Sequence, residues 1–183
     1  MNTLQKMFAF IIAVLLLYIV PSLFSYLNQD ELSEKISYPA VTTFVDSVRN
    51  KGYVSPQMYN EFVDEINHGT YVYDVQLLHQ SKVYNPVYTD PTNPLTFQGT
   101  YNVDYEEYYT KQILEVLFPN NTLPDDDPSR LYKMHVGDFF KVVIKNKNRT
   151  NATVVKDFLT FGMTGDPTVI YIPYGGMIHN EDH

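Results

Sequence analysis

The feature that most constrains this chain is a long uncharged stretch near its amino terminus. From Met7 to Leu27 no side chain carries a charge, and most side chains are aliphatic or aromatic. A helix that crosses a hydrocarbon core of about 30 Å at about 1.5 Å per residue needs about 20 apolar residues. The stretch therefore predicts a membrane-spanning helix. We expect its lipid contacts to be made by Phe8, Phe10, Ile11, Ile12, Val14, Leu15, Leu16, Leu17, Ile19 and Val20.

Two other interpretations compete with a membrane span. The core helix of a soluble protein would be apolar along one stripe, whereas this helix is apolar on all sides. A cleaved signal peptide would fit the length of the run from Met7 to Val20. However, the apolar character continues past the weak cleavage sites that would start the mature chain near Leu23 or Tyr26. A retained anchor is therefore favoured over a cleaved signal.

Charges at the two ends of the stretch predict its direction. Lys6 and the terminal amine precede it, whereas Asp30, Glu31 and Glu34 follow it. Because positive charge is retained on the cytoplasmic side, we expect a single-pass protein of the cell membrane with its amino terminus inside. The predicted organisation is a cytoplasmic tail at residues 1–6, a transmembrane helix at 7–27, a juxtamembrane linker at 28–38 and an extracytoplasmic domain at 39–183.

The rest of the chain has the size and charge of one acidic globular domain. The protein has 183 residues, of which 44% are hydrophobic. All 21 acidic residues and all but one of the 13 basic residues follow the apolar stretch, so a nucleic-acid partner is disfavoured. The absence of cysteine fits the surface of a Gram-positive bacterium better than a disulfide-rich secreted protein.

Periodic patterns predict an α+β domain with a mainly antiparallel sheet and packed helices. Amphipathic spacing indicates helices from about Pro39 to Asn50, from Pro56 to Ile66 and from Asp104 to Phe118. A run of strand formers indicates a strand from Tyr71 to Gln80. Three prolines among polar residues indicate a long surface loop from Val83 to Gly99.

The carboxyl-terminal third is expected to add a hairpin, a helix and a strand. Alternation on both sides of Gly137 predicts a β-hairpin with Phe140, Val142 and Ile144 on its apolar face. A short helix is expected on four apolar positions, Val154, Val155, Phe158 and Leu159. A strand that starts at Thr168 would complete the α+β domain.

The sequence contains no signature of catalysis or of metal binding. Nucleophile motifs, glycine-rich phosphate loops and metalloprotease motifs are absent. The five histidines lack ligand spacing, and there is no cysteine to join them. The run from Asp125 to Asp127, together with Asp90, offers oxygen ligands for calcium but is more typical of a solvated turn. We therefore expect a protein that is not an enzyme and that has no metal and no cofactor.

Basic residues near the second strand of the predicted hairpin form a candidate partner surface. In a strand, alternate residues face opposite sides of the sheet. The positions opposite to the apolar face include Lys141, Lys145, Lys147 and Arg149. The simplest interpretation is the solvated face of a half-buried sheet. The functional alternative is a basic stripe that binds an acidic protein or an anionic wall polymer.

The order of segments resembles that of a known family. A short tail and one apolar helix precede "AVTTFVDSVRNKGYVSPQMYNEFVDEI", "YDVQL" and later "VGDFFKVVIKN". This succession resembles TadE-like and type IV pilin-like (pseudopilin-type) membrane-anchored proteins of Gram-positive bacteria. The resemblance implies an apolar helix that lies in the membrane before assembly and in a filament core afterwards, with the globular part outside. It also implies partners among other pilin-like or secretion-system proteins.

One departure from that family refines the expectation. Substrates of prepilin peptidase usually have a glycine before the processing point and a glutamate early in the helix, whereas the stretch from Met7 to Leu27 has neither. We therefore expect a permanently anchored, non-enzymatic component of a pilus-like, secretion or conjugation assembly, such as a minor pilin. A tethered cell-surface binding module is the alternative, and an anchored cell-wall enzyme is a weaker one.

Overall fold

The computed structural model describes residues 2–67, 71–120, 122–162 and 170–183. It confirms the α+β class, because a long apolar helix leads into a head in which an antiparallel four-stranded sheet packs with helices. The helices are α1 (Thr3–Lys51), α2 (Pro56–Asn67), α3 (Thr110–Leu117) and α4 (Asn151–Leu159). The strands are β1 (Tyr53–Val54), β2 (Tyr73–Tyr88), β3 (Phe97–Tyr109), β4 (Tyr132–Lys133), β5 (Phe139–Asn146) and β6 (Tyr171–Met177).

α1 is one continuous helix of 49 residues, about 73 Å long at about 1.5 Å per residue. Its amino-terminal half is exposed, whereas its carboxyl-terminal half supplies a buried stripe made of Ala40, Val41, Phe44, Val45 and Val48. α1 therefore belongs to the core of the head over its last three turns and extends away from the head over its first half.

The helix start predicted at Pro39 is wrong, because α1 passes through both Pro21 and Pro39 without ending. Segment 28–38, predicted as a juxtamembrane linker, is helical and continuous with both neighbours. A proline removes one backbone donor and disfavours helical geometry in the residue before it. Burial of Ala40, Val41 and Phe44 directly after Pro39 favours the continued helix. The exposed ion pair between Glu31 and Lys35 at 2.7 Å adds a smaller contribution.

α1 ends beneath the carboxyl-terminal tail. Gly52 adopts a left-handed conformation with φ of 77°, and its backbone N–H donates to the carbonyl of Val48 at 2.8 Å. The N–H groups of His179 and Asp182 donate to the carbonyls of Arg49 and Lys51, both at 2.9 Å. The tail therefore satisfies two of the carbonyls that the last turn of α1 leaves without helical partners.

The four-stranded sheet has the order β3-β2-β5-β6, and each neighbouring pair is antiparallel. One face of the sheet covers the buried side of α1. Phe44 of α1 stacks on Phe62 of α2 with ring centroids 4.4 Å apart and meets Phe140 of β5 edge to face at 6.2 Å. These aromatic contacts join the first two helices to the centre of the sheet.

The predicted strand from Tyr71 to Gln80 is confirmed in its position, but the surface loop predicted from Val83 to Gly99 is wrong. β2 continues to Tyr88 and pairs with β3, with a register shift between Pro86 and Tyr88. Beyond Gln80, β2 has no register partner on β5. Pro86 lies in this part of β2, where only β3 pairs with the strand. A proline has no backbone N–H, and it is tolerated where a strand has a neighbour on one side only.

The helix predicted from Asp104 to Phe118 is wrong over its first six residues. Residues 104–109 belong to β3, and α3 begins only at Thr110. The alternation of Tyr101, Val103 and Tyr105 has the period of a strand, and β3 pairs with β2 along one of its edges. The spacing of the tyrosines in residues 104–109 is compatible with a helix as well as with a strand. Pairing with β2 selects the strand.

The predicted hairpin around Gly137 is also wrong, although its faces are correct. β4 pairs with β1, so that Tyr53 lies opposite Lys133, whereas β5 lies between β2 and β6. Phe140, Val142 and Ile144 are buried as expected. The predicted α2, α4 and β6 are confirmed, but Thr168 at the predicted start of the last strand lies outside the described residues.

Candidate functional site

The amino-terminal half of α1 is apolar and free of the head. Within the described residues, α1 is the helix long and apolar enough to cross a membrane or to act as a signal sequence, and none of its most apolar window is buried. Among the ten predicted anchor residues only Ile19 is partly covered, and the other nine are exposed. The core helix of a soluble protein would be mostly buried, so this observation removes that interpretation.

A buried carboxylate marks the junction between the apolar half of α1 and the head. Asp30 is only 4% exposed, although it lies three residues after the last apolar residue, Leu27. Its two oxygens accept hydrogen bonds from the Tyr71 hydroxyl at 2.5 Å and from the Thr150 hydroxyl at 2.9 Å. Thr150 is also the N-cap of α4 and accepts from the N–H of Thr153 at 3.2 Å. Asp30 thus joins α1, α4 and the segment before β2.

A second polar contact supports the same junction one to two turns further along α1. The Ser37 hydroxyl donates to the Tyr73 hydroxyl at 3.1 Å, and both residues are buried. Burial and the carboxylate of Asp30 raise the pKa of Tyr71 far above its ordinary value, so its hydroxyl remains a donor. Sequence reasoning missed this site. A signal was present, since Asp30 precedes Ser37 by seven residues and shares the helical stripe that Val41 and Phe44 continue.

These contacts give the head a proximal end and a distal end relative to the apolar segment. The proximal end carries Asp30, Tyr71 and Thr150. At the distal end Arg49 of α1 donates to the carbonyl of Met177 of β6 at 3.0 Å. Register across the sheet places Met177 opposite Phe139 of β5, and Phe139 opposite Gln80 of β2. β2 therefore runs from the proximal to the distal end, and its last eight residues extend further outward with β3.

The projecting part of β2 and β3 forms a two-stranded ribbon with an aromatic face. Tyr84, Tyr101, Val103 and Tyr105 are exposed, and register places Tyr84 opposite Val103 and Lys82 opposite Tyr105 on this face. β3 is an edge strand of the described sheet, so its outer backbone groups face away from β2. Tyrosine offers both apolar area and a polar tip, which suits such a surface to protein contact.

Of the four basic residues of the predicted partner surface, Lys141 and Lys145 lie on β5, and Lys147 and Arg149 follow its carboxyl end. Three of them have partners within the chain. The Lys145 ammonium lies 5.5 Å from the Tyr171 ring centroid, Lys147 pairs with Asp74 at 3.4 Å, and Arg149 pairs with Asp157 at 2.8 Å. Lys141 is half-buried on the same face of β5 as Lys145. The basic stripe remains a prediction, and its charge is partly compensated by these neighbours.

The sheet also contains a buried histidine that sequence reasoning did not single out. His79 on β2 is 4% exposed; its Nδ1 lies 2.8 Å from the Tyr132 hydroxyl and its Nε2 lies 2.9 Å from Oδ2 of Asp138. Asp138 also accepts from the backbone N–H groups of Lys82 and His135, both at 2.9 Å. This cluster joins β2, β4 and the turn before β5, and it lies beneath the Tyr108 ring.

The protonation states of the cluster follow from its burial. Burial lowers the pKa of His79, and this effect exceeds the opposing influence of Asp138. Burial alone would raise the pKa of Asp138, but the two backbone donors and His79 together lower it below its ordinary value. The cluster therefore holds a carboxylate and a neutral imidazole in the interior of the head.

The aspartates considered for calcium have local partners. Asp127 accepts from the N–H of Ser129 at 2.9 Å, Asp125 pairs with Arg130 at 2.5 Å, and Asp90 accepts from the N–H of Thr92 at 3.0 Å. No group of three potential metal ligands occurs among the described residues. An open groove of about 670 Å³ lies beside α2 and is lined by Lys51, Tyr53, Asp64 and Asp126 among others.

Comparison with protein-family models, with curated proteins and with solved structures finds no match to this chain. The candidate site is therefore defined by its geometry alone: a free apolar half-helix, a polar junction at Asp30 and an aromatic ribbon at the opposite end of the head.

Proposed function

We propose that this protein is a membrane-anchored, extracytoplasmic and non-enzymatic component of a pilus-like, secretion or conjugation assembly. The observation that carries the proposal is the division of α1. One helix is free and apolar over its first half and is packed into the head over its second half. A helix of this kind holds the head at a defined distance and orientation from the membrane, which a flexible linker would not do.

Several features support a retained anchor over a cleaved signal. α1 runs through the weak cleavage positions near Leu23 and Tyr26 without a break. The buried Asp30 lies immediately beyond them and contacts the head at two points. Intact mass of the membrane-extracted protein tests this proposal. We expect a chain that still contains residues 7–27, and a mature chain beginning near Leu23 and released into the medium would contradict it.

Assembly with other membrane helices is tested by exchanging the anchor. Replacing Met7 to Leu27 with a polyleucine span of equal length retains the membrane helix but removes its packing surface. We expect the exchanged protein to lose co-purification with a secretion ATPase or with pilin-like proteins. If it retains these partners and still supports secretion or piliation, the helix is only a tether.

A tethered cell-surface binding module is the second candidate, and the aromatic ribbon favours it. The ribbon is at the distal end, where a surface partner would approach. Replacing Tyr101 and Tyr105 by serine should remove partner binding by a binding module and leave the fold intact, because both side chains are exposed. The matched control replaces Thr100 and Asn102, which lie on the opposite face of the same strand, by alanine.

A further inference from the structure

We infer that α4 is a membrane-contacting element: its exposed apolar face enters the interface of the same bilayer that the apolar half of α1 crosses. This inference rests on the proposed anchor. It adds a second contact between head and lipid, which fixes the orientation of the head as well as its attachment.

The position of α4 follows from its N-cap. The Thr150 hydroxyl donates to Asp30 at 2.9 Å, which brings the start of α4 to the level of Asp30 on α1. Asp30 lies three residues after Leu27, or about 4.5 Å along the helix axis. The headgroup region on one side of a bilayer is about 5–8 Å thick. When the stretch from Met7 to Leu27 spans the hydrocarbon core, α4 begins within the headgroup region.

The surface of α4 has the composition that this position requires. Val154 and Phe158 lie one turn apart and are exposed, Phe158 by 74%, and Phe161 beyond the helix end is 93% exposed. The buried side of α4 is instead formed by the small residues Ala152 and Thr153. Helices that lie in a membrane interface carry aromatic and aliphatic residues on the lipid face. The face formed by Val154 and Phe158 matches that pattern, and Phe161 adds an exposed aromatic ring just beyond the end of the helix.

A stripe on α1 indicates that the covered side of the helix continues toward the membrane. Partly covered residues at helical spacing lead from the apolar segment to the buried Asp30: Ile19, Leu23, Tyr26 and Leu27. α1 and α4 pack against each other. The partly covered side of α1 thus continues below Asp30 into the apolar segment.

The contact is apolar rather than electrostatic. Exposed carboxylates at Glu31 and Glu34 lie at the level of Asp30, and Asp157 of α4 pairs with Arg149 at 2.8 Å. These carboxylates offset the attraction that Lys156 would have for anionic headgroups. Phosphatidylcholine is therefore a sufficient probe, and no anionic lipid is required.

The absence of tryptophan from the chain provides a direct test. The full-length protein is reconstituted into phosphatidylcholine vesicles with or without bromine on the acyl chains, and single tryptophans are introduced one at a time. In Phe158→Trp we expect a blue-shifted emission and a loss of about half of it to bromine, since interfacial helices insert their apolar face about 5–10 Å.

Three further variants serve as controls. Leu17→Trp reports on the anchor itself and should be quenched. Lys156→Trp lies on the opposite side of α4 and should be quenched much less than Phe158→Trp. Leu95→Trp lies at the turn of the distal ribbon and should not be quenched. All four positions are exposed, so the substitutions do not disturb the core.

The outcomes separate this inference from the proposed function. If Leu17→Trp is quenched and Phe158→Trp is not, the anchor stands and the α4 contact is overturned. A blue-shifted but unquenched Phe158→Trp means that protein covers this face, which also overturns the lipid contact. Equal quenching of Phe158→Trp and Lys156→Trp shows that α4 does not present one face to lipid. If Leu17→Trp is not quenched, the anchor fails and the inference fails with it.

Discussion

At the scale of single residues, two carboxylates that are buried within the described part of the chain define how the head is held together. Asp138 accepts hydrogen bonds from two backbone groups and from His79, and Asp30 accepts two from hydroxyl groups. A buried carboxylate costs several kcal/mol of desolvation unless such donors surround it. Each carboxylate is therefore the shared acceptor of a buried cluster. Removing it would leave the buried donors around it without a hydrogen-bond acceptor.

Replacing Asp138 by alanine should lower the free energy of unfolding by about 3 kcal/mol, because it leaves the N–H groups of Lys82 and His135 and the His79 ring without their acceptor. Denaturant unfolding of the full chain in detergent measures the change. The matched control is Asp126→Ala, an exposed carboxylate, for which we expect less than about 0.5 kcal/mol. Similar losses in both variants would refute the cluster's structural role.

His79 predicts a dependence of stability on pH. The folded protein holds this imidazole neutral because burial lowers its pKa, whereas in the unfolded chain it titrates near pH 6.5. Below about pH 6.5 the unfolded state therefore binds the proton more readily, and the free energy of unfolding falls by at most about 1.4 kcal/mol per pH unit. The stability is fully present above that pH and decreases on acidification.

His79→Gln tests this expectation by removing the titrating group while keeping a donor and an acceptor. Unfolding free energies between about pH 7 and pH 5 should then lose most of their slope relative to the native protein. The lowered pKa of Asp138 acts in a separate window, where stability is lost only below about pH 4. An unchanged slope in His79→Gln would assign the pH dependence to other groups.

At the scale of elements, the end of α1 is tightly constrained by the carboxyl-terminal tail. Gly52 has a left-handed backbone, and a Cβ added there would lie 2.2 Å from the carbonyl oxygen of Asn180. On either side of Asn180, the N–H groups of His179 and Asp182 donate to the carbonyls of Arg49 and Lys51. The buried stripe of α1 and the tail thus depend on each other at this glycine.

Gly52→Ala should destabilise the head by more than about 2 kcal/mol, since strain of the left-handed backbone adds to a clash with the tail. Gly99 offers a matched control. Its φ of 74° nearly equals that of Gly52, but a Cβ added there meets nothing within 4 Å. We expect Gly99→Ala to cost only about 1 kcal/mol. Thermal unfolding of both variants separates the clash from the backbone strain, and equal losses would contradict the role of the tail.

At the scale of the whole molecule, the head is predicted to fold without the apolar segment, because its core is formed by the second half of α1, α2, α3 and the sheet. We place the amino-terminal boundary of this folding unit at Asn28, between the apolar segment and Asp30. A fragment of residues 28–183 retains Asp30, whereas a fragment of residues 37–183 leaves the hydroxyls of Tyr71 and Thr150 without their acceptor.

We therefore expect the fragment of residues 28–183 to unfold cooperatively and to be about 1–3 kcal/mol more stable than the fragment of residues 37–183. Asp30→Ala in the longer fragment should reproduce most of the difference, since the two hydrogen bonds are its cause. Equal stability of the two fragments would show that the junction at Asp30 contributes nothing. A longer fragment without cooperative unfolding would show that the head needs its anchor.

The sequence by itself determined the elements whose signal is local. The apolar stretch from Met7, the amphipathic stripe of α1 around Val41 and Phe44, α2 and the helix at Val154 all follow from periodicity within one segment. The alternation of Phe140, Val142 and Ile144 likewise identified the buried face of β5. The α+β class and the free apolar helix follow from these patterns alone.

Only the tertiary structure decided which segments pair and which polar groups meet. Residues 104–109 carry tyrosines compatible with either helix or strand, and their pairing with β2 selects the strand. β4 pairs with β1 instead of with its neighbour in sequence, β5. Asp30 and Thr150, and likewise His79 and Asp138, are distant along the chain and adjacent in space. Such contacts depend on the whole fold, because each segment satisfies its backbone and burial requirements with a partner that local periodicity does not specify.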